Sequence, residues 1–389
     1  MQLETQTTGK PGPRRFFFDL SAILGYQVHL VVYGWQAKQP LNWLSHNRKA
    51  VIARGSFLQA PGLPVFTLKD EEGSGLAEQI PLEVSRVARL MPAIDFELCQ
   101  ACAVSETALQ LATDAPLLFI LLVEFARKNS SSSHQFEQLL ALKRTDILEH
   151  IGLPKSRSMA RLIRRIALSP LLPWELEDVT EALGNPQFLD LLRHHPQLHL
   201  NHLRFLLRLQ QRIEPCMLNL IDEHSSTQDI NWVCRMIRDT RNLARGNQHV
   251  LTGITSKQSL QDLHDKLVEQ FNRDHGKDPA AYRTLLSERL KAEHGDYPPT
   301  PLPAIDGIEP LSSWLDLLQE GARMHHCVGS YDIHVAQGDV FIYRMVQPER
   351  LTISLERKSN EWIVGEVRGY CNASPSAGAL EIVRRWVEC

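Results

Sequence analysis

The chain of 389 residues lacks any long hydrophobic run. Its longest apolar stretch, Ala115 to Val123, ends at Glu124 and has about half the length that a membrane-spanning helix requires. The amino terminus is polar and has no apolar segment ahead of a small-residue cleavage site, so it does not resemble a secretory signal. We therefore expect a cytoplasmic protein without a membrane partner.

A strong excess of charge of one sign is also missing. Lysine and arginine total 42, aspartate and glutamate total 45, and the net charge is -3 at pH 7. Such a balance gives no global field that would attract nucleic acid or an anionic membrane. Any binding of this kind must therefore depend on a local patch.

Cysteines are few and have neither disulfide-framework nor zinc-ribbon spacing. The chain has seven of them, an odd number that favours a reducing compartment over a disulfide scaffold. Cys99 and Cys102 form a C-x-x-C pair without a second pair. The sequence also has no clear fixed-period repeat, which argues against a regular solenoid.

The chain is nevertheless typical of a folded protein, with 43% hydrophobic and 22% charged residues. Its length suits two or three domains. Alternation of apolar residues, helical periodicity and proline content divide the chain into five segments. We expect a flexible tail over 1–15, a small strand-containing module over 16–105 and a helical region over 106–273. A proline-rich linker over 274–303 and an α+β domain over 304–389 follow.

Short β-type runs indicate the strands of the first module, at 29–33, 50–54 and 64–68. From Glu106 onward the periodicity becomes helical, with short connections that favour a packed helical array. The segment Tyr297 to Pro303 contains four prolines, which cannot continue a helix.

The last ninety or so residues predict an antiparallel β-meander with helices on one side. A capping pair, Ser313 and Asp316, starts a helix that Gly321 is placed to end. We expect a second helix over Met324 to Gln337, with Cys327 near its amino terminus. The strands are expected at 340–346, 351–357 and 362–368, with Trp362, Val364, Glu366 and Arg368 on one face, and a final helix at 377–387.

These residues resemble a known family. The resemblance rests on the block Gly321 to Tyr331, the segment Leu351 to Leu355, Val367-Arg368-Gly369 and Asn372, which are similar to the PcfJ-like domain of bacterial plasmids, phages and related mobile elements. A weaker resemblance extends to Asp262-Leu263-His264-Asp265. Because the family's biochemistry is poorly established, the resemblance implies a genomic setting more than a reaction.

Cys327 is a candidate nucleophile, since a helix amino terminus stabilises a thiolate. His325 or His326 would be the base, and Glu366 or Asn372 would orient the imidazole. Alternatively, Cys327 is a small buried hydrophobic residue and one histidine caps a carbonyl.

Zinc is a weaker candidate, because the sequence lacks paired-ligand spacing. The residue types available to it near the block are His325, His326, Cys327, His334 and Cys371. We assign no metal ligands and no cofactor from the sequence.

A metal-free phosphodiesterase is the third chemical hypothesis. Arginine binds phosphate through two parallel hydrogen bonds and histidine titrates near neutral pH, so His326, Arg323 and Arg368 suit this reaction, with Tyr331 or Glu366 assisting.

A stripe of arginines also recurs every three or four residues, at Arg235, Arg238, Arg241 and Arg245. Such a stripe suits a nucleic-acid backbone, but acidic residues are nearly as frequent in this region, which favours a solvated helix face.

Three functions remain open from the sequence. The favoured one is a PcfJ-like protein of a mobile element or defence locus, whose helical region binds a protein or nucleic-acid partner from the same locus. Its C-terminal domain would carry a site formed by His326, Cys327, Tyr331, Glu366, Arg368 and Asn372. The alternatives are a hydrolytic enzyme, either phosphodiesterase-like or Cys-dependent, and a non-catalytic interaction module. The sequence fixes neither the substrate nor the oligomeric state.

Overall fold

The computed structural model describes residues 15–67, 75–209, 213–244, 247, 249–276, 280–358 and 361–388. The chain divides into two compact units, Met1–Ile230 and Asn231–Cys389. The first is mainly helical and begins with a small sheet, and the second combines helices with an antiparallel sheet. The α+β fold class predicted from the sequence is confirmed.

The strands of the first unit are β1 (Arg15–Asp19), β2 (His29–Tyr33), β3 (Trp43–His46), β4 (Val51–Gly55), β5 (Ile166–Ala167) and β6 (Leu198–His199). Its helices are α1 (Ser21–Leu24), α2 (Leu82–Ala88), α3 (Asp95–Val104), α4 (Glu106–Asp114), α5 (Pro116–Lys128), α6 (Ser133–Leu140), α7 (Arg144–His150), α8 (Arg157–Arg165), α9 (Glu175–Gly184), α10 (Pro186–His194) and α11 (Leu200–Leu209). Strands β1 to β4 form an antiparallel sheet in sequence order.

The strand predictions at 29–33 and 50–54 are confirmed, but the one at 64–68 is wrong. Val65–Thr67 forms a 3₁₀ turn. The backbone N–H of Val65 donates to Asp95 Oδ1 at 3.1 Å, so a buried side chain takes the place of a strand partner.

The apolar run in α5 forms part of the core of the first unit, with every side chain from Leu117 to Val123 buried. Among the helices within the described ranges, none is both long enough and apolar enough to cross a bilayer.

The second unit contains most of α12 (Thr227–Leu243), followed by α13 (Lys257–Gly276), α14 (Ala280–His294), β7 (Ile308–Pro310), α15 (Trp314–Met324), α16 (Asp332–Ala336), β8 (Val340–Met345), β9 (Leu351–Lys358), β10 (Glu361–Arg368) and α17 (Ala377–Glu388). Helix α14 lies within the segment 274–303 that we proposed as a linker. The domain boundary itself stays a prediction.

The predicted meander is present, with strands in the order β10-β9-β8-β7. Helices cover both of its faces, although we expected them on one. Trp386 of α17 packs against Tyr343 on one face, while Leu317 of α15 packs with Ile342 on the other. Because both faces are covered, successive residues of β8 are buried: Val340, Phe341, Ile342 and Tyr343 are all at most 5% exposed.

The helix predicted from Met324 to Gln337 is wrong. Helix α15 runs through Gly321 to Met324, and His325 then adopts a left-handed conformation with φ 53° and ψ 50°. A 3₁₀ helix of four residues, Cys327–Ser330, precedes the short α16. Cys327 therefore lacks the long helix whose dipole we expected to stabilise its thiolate.

A β-bulge changes the faces of β10. Val364 pairs with Leu355 and Glu366 pairs with Ser354, so Gly365 is an extra residue in this strand. Trp362 and Val364 pack against the α17 side of the sheet. Because one inserted residue reverses the alternation, Glu366 and Arg368 lie on the opposite face, and the prediction that all four share one face is wrong.

Candidate functional site

Two helices of the second unit supply polar side chains to one cavity. Helix α12 contributes Trp232, Arg235, Met236 and Asp239, whose spacing of i, i+3, i+4 and i+7 places them on one face. Helix α13 contributes Gln261, His264 and Asp265, whose spacing of i, i+3 and i+4 also places them on one face. Asp239 is 8% exposed and His264 is 2% exposed, so both polar groups are removed from solvent.

The 3₁₀ helix reaches this cavity because it packs closely on α15. A Cβ added to Gly321 would lie 3.0 Å from the backbone nitrogen of Gly329 and 3.1 Å from the carbonyl oxygen of His326. The N–H of His326 donates to the carbonyl of Gly321 at 3.2 Å. The absence of a side chain at Gly321 thus permits the close approach that positions Cys327.

Two neighbouring cavities surround Cys327. The smaller, which we call the sheet cavity, has a volume of about 50 Å³ and is lined by His326, Cys327, Val328, Tyr331, Ile342, Thr352, Ser354, Glu366, Arg368 and Asn372. The larger, which we call the α12–α13 cavity, has a volume of about 230 Å³ and is lined by the side chains from α12 and α13 together with Cys327, Glu366, Arg368, Cys371 and Asn372. The six residues predicted from the sequence all line the sheet cavity.

Glu366 joins two arginines where the cavities meet. Arg368 donates from Nη2 to Glu366 Oε1 at 3.0 Å, and Nε of Arg235 lies 2.7 Å from the same oxygen. The backbone N–H of Glu366 donates to Ser354 Oγ at 2.8 Å, which fixes this end of β10. The three charged side chains are only about 26–33% exposed, so their interaction is less screened than at an open surface.

His326 belongs to a buried hydrogen-bond chain. Its Nε2 donates to Thr352 Oγ1 at 2.9 Å, and this hydroxyl donates to Glu320 Oε1 at 2.8 Å. Glu320 is also paired with Arg350. Burial, with the positive charge of Arg350 nearby, lowers the pKa of His326 to about 4. The imidazole is therefore neutral and tied to the sheet, which gives it a structural role rather than that of a base for Cys327.

Burial raises the pKa of the Cys327 thiol well above its ordinary value, and the carboxylates of Asp239 and Glu366 raise it further. Burial also raises the pKa of Asp239 to about 6, although Tyr331 donates its hydroxyl hydrogen to Asp239 Oδ1 at 2.6 Å. In the protein without a ligand, the environment of Cys327 thus disfavours a thiolate.

His264, like Asp239, is a site residue that sequence reasoning did not assign. Its Nδ1 lies 3.1 Å from Asp265 Oδ1, and a carboxylate can only accept, so Nδ1 carries the hydrogen. Its Nε2 is buried and has no hydrogen-bond partner within the part of the chain that the structure describes. The available signal was the Asp262-Leu263-His264-Asp265 segment, to which no chemical role was assigned.

Other candidates from the sequence lie apart from the cavities. His325 is exposed and its ring packs on Tyr370, while Asn242 Nδ2 donates to His334 Nε2 at 3.2 Å. Arg323 is exposed and lines neither cavity.

The arginines of the predicted stripe lie in different environments. Arg235 is paired with Glu366, Arg238 is exposed and Arg241 is partly buried. Arg245 lies outside the described residues. The role of these arginines in binding nucleic acid stays a prediction.

Comparison with known families bears on the same region. Residues 249–381 match the model of a family described as PcfJ-like protein. The C-terminal region is PcfJ-like. The match includes His264, Cys327, Glu366 and Arg368 but not Arg235 and Asp239, which precede it. It covers about a third of the chain, and it confirms the resemblance that the Gly321 to Tyr331 block indicated. Searches of curated proteins and of solved structures gave no match for this chain.

Proposed function

We propose that the PcfJ-like unit hydrolyses a phosphodiester in the α12–α13 cavity. The observation that carries this proposal is the contact of Arg235 and Arg368 with the same oxygen of Glu366. Two guanidinium groups that converge on one carboxylate oxygen have the arrangement needed to hold a phosphate, which also presents negatively charged oxygens to both. The substrate phosphate would replace the carboxylate between them.

Glu366 then has a chemical role. Once the phosphate holds the arginines, the carboxylate can accept a proton from a water molecule as that water attacks phosphorus. The P–O bond to the leaving alkoxide breaks, and solvent protonates this oxygen, so one water and one phosphodiester give a phosphomonoester and an alcohol. The arginines stabilise the charge that develops on the phosphoryl oxygens.

The Cys-dependent alternative has less support. No imidazole among the described residues is hydrogen-bonded to Cys327 Sγ. The Nε2 of His326 is hydrogen-bonded to Thr352 instead. The non-catalytic alternative is compatible with the buried network of His326, Thr352 and Glu320, which stabilises the unit. It gives no account, however, of a cavity in which two arginines, a glutamate and an aspartate converge.

For the biological setting, we propose a cytoplasmic protein of a plasmid, phage or related mobile element or defence locus. The support is the PcfJ-like match of residues 249–381. We further propose that the helical region over 106–273 binds a protein or nucleic-acid partner from the same locus.

Phosphate binding and turnover test the proposed reaction together. The full-length protein is titrated calorimetrically with inorganic phosphate, and its activity is assayed on bis(p-nitrophenyl) phosphate and on labelled RNA and DNA oligonucleotides. We expect Arg368→Gln to weaken phosphate binding at least about tenfold, which corresponds to roughly 1.4 kcal/mol. We expect Glu366→Gln to lose turnover but to bind phosphate more tightly, because the neutral amide no longer competes for the arginines.

The matched control is Arg344→Gln. Arg344 pairs with Glu309 between neighbouring strands of the same sheet and lines neither cavity, so the same change of charge leaves the proposed site intact. Equal phosphate affinity in Arg368→Gln and the wild type, or full turnover by Glu366→Gln, would contradict the proposal.

A further inference from the structure

Three potential metal ligands converge beside the paired arginines. Asp239 from α12, His264 from α13 and Cys327 from the 3₁₀ helix each bring one ligand atom within 4.8 Å of the other two. The three residues lie on separate elements and share no local sequence motif. Of the three, only Cys327 was in the ligand set considered from the sequence, which otherwise contained His325, His326, His334 and Cys371.

We infer that Asp239, His264 and Cys327 are the protein ligands of one transition-metal ion, with zinc as the expected metal and a fourth position open to the α12–α13 cavity. In a tetrahedral zinc site with bonds of about 2.0–2.3 Å, the ligand atoms lie roughly 3.3–3.8 Å apart. Closing the present group around an ion thus requires a contraction of at most about 1.5 Å.

The strongest evidence is the state of the His264 ring. Asp265 accepts the Nδ1 hydrogen, so in the neutral ring Nε2 carries the lone pair that a metal would bind. This nitrogen is buried and receives no hydrogen bond from the described residues. A carboxylate that orients one ring nitrogen while the other binds a metal is the usual arrangement around metal-bound histidines.

Asp239 is oriented in a similar way. The Tyr331 hydroxyl donates to Oδ1, which fixes the orientation of the carboxylate. Asp239 is 8% exposed, so its carboxylate has little access to solvent cations or water. A buried carboxylate of this kind needs a counter-charge or a full set of hydrogen bonds.

The ligand types select the metal. One thiolate, one imidazole and one carboxylate suit zinc and related transition metals, whereas magnesium and calcium prefer oxygen ligands alone. Cys327 would bind as a thiolate and release its proton to solvent. Two anionic ligands and a divalent ion give a neutral centre, which is compatible with the nearby arginines because those are already paired with Glu366.

The open fourth position distinguishes this centre from a closed structural site, which would use four protein ligands. In a consequence that rests on the proposed function, a water bound there would be acidified by the metal and face the phosphate held by the arginines. The ligand geometry itself does not depend on that reaction.

Cobalt binding tests the inference directly. The full-length protein is treated with a chelator, dialysed and titrated with Co²⁺ alone, with absorption recorded in the visible and near ultraviolet. We expect one ion per chain, the intense absorption of a thiolate-to-cobalt charge transfer, and displacement by an equimolar amount of Zn²⁺. Elemental analysis of the untreated protein should find about one zinc per chain.

Variants separate a real site from adventitious binding by thiols. Cys327→Ser should remove the charge-transfer absorption, whereas Cys371→Ser, which changes an exposed cysteine of the same cavity, should keep it. If Cys327→Ser does not fold, Asp265→Ala provides the second test, because loss of the oxygen that accepts from His264 Nδ1 should weaken metal affinity about 10–100-fold.

Absence of the charge-transfer absorption from the wild type, its persistence in Cys327→Ser, or unchanged affinity in Asp265→Ala would overturn the inference. Its failure is distinguishable from that of the proposed hydrolysis. Arg368→Gln should lose phosphate affinity and retain the cobalt spectrum, so each proposal has its own readout.

Discussion

Tyr331 donates its hydroxyl hydrogen to Asp239 Oδ1 across 2.6 Å, although 92 positions separate the two residues in the sequence. This hydrogen bond connects α12 to the segment that follows the 3₁₀ helix. It also stabilises a carboxyl group that is almost completely removed from solvent. The architecture of the candidate site therefore depends on a contact between elements that are distant in the chain.

Replacement of Tyr331 by phenylalanine should destabilise the second unit. The Asp239 carboxyl would lose its donor while remaining buried, and an unsatisfied buried polar group costs roughly 1–3 kcal/mol. Urea unfolding followed by tryptophan fluorescence measures the loss. The control is Tyr370→Phe, which removes a hydroxyl from a residue that is 57% exposed and should change the free energy of unfolding by less than about 0.5 kcal/mol. Equal stability of the two variants would contradict this role of Tyr331.

Gly321→Ala should also destabilise the protein, even though alanine favours helices. The added Cβ would lie 3.0 Å from the backbone nitrogen of Gly329, and backbone cannot move aside as easily as the end of a side chain. We expect a loss of about 1–3 kcal/mol.

The matched control is Gly184→Ala in α9, where a Cβ would meet no atom within 4 Å. That substitution should stabilise the protein by up to about 1 kcal/mol, since alanine loses less conformational entropy in a helix. Thermal or urea unfolding of both variants checks the opposite signs. A stabilising Gly321→Ala would show that α15 and the 3₁₀ helix can separate at no cost.

His202 should make the first unit sensitive to acid. Its Nδ1 accepts from the backbone N–H of His199 at 3.3 Å, and its Nε2 donates to the carbonyl of Leu218 at 3.1 Å, so the neutral ring is required. Burial, assisted by His199 and His195, lowers the pKa of His202 to about 3. The folded-state pKa thus lies below the ordinary value of 6.5, and the stability that the neutral ring supplies is present above pH 6.5 and is lost as the pH falls towards 3.

Urea unfolding between pH 7 and pH 4 measures this dependence. His202→Asn should be less stable at pH 7 but should lose less stability on acidification, because the group that takes up a proton on unfolding is gone. His224→Asn changes an exposed histidine and should follow the wild-type profile. An unchanged pH dependence in His202→Asn would exclude the assignment.

Sequence patterns predicted the C-terminal strands well because each strand carries its own apolar residues. The predicted range 351–357 compares with Leu351–Lys358 in the structure, and 362–368 compares with Glu361–Arg368. The bulge at Gly365 was not predictable in this way, since an extra residue is defined only against the strand that pairs with it. Because of this one extra residue, the side chains of Glu366 and Arg368 face the cavity.

The candidate site was predicted in part. The six residues from the resemblance and from the local chemistry line one cavity. Asp239 was not predicted, and His264 was named only within a weak resemblance, because a single polar residue on the buried face of an amphipathic helix does not reveal its partner. Arg235 was assigned to a solvent-facing stripe, since helical periodicity gives the angle between residues but not the direction of the cavity.

The sequence by itself determined the α+β character of the chain, the strands and final helix of the C-terminal region, and the PcfJ-like resemblance. These features reside in local periodicity and in short blocks of residues. Tertiary structure alone decided that α15 continues to Met324, that Glu366 meets Arg235, and that His264 and Asp239 approach Cys327. Such contacts depend on how separate helices pack around the sheet, and packing is set by the combined shape of many side chains rather than by any one segment.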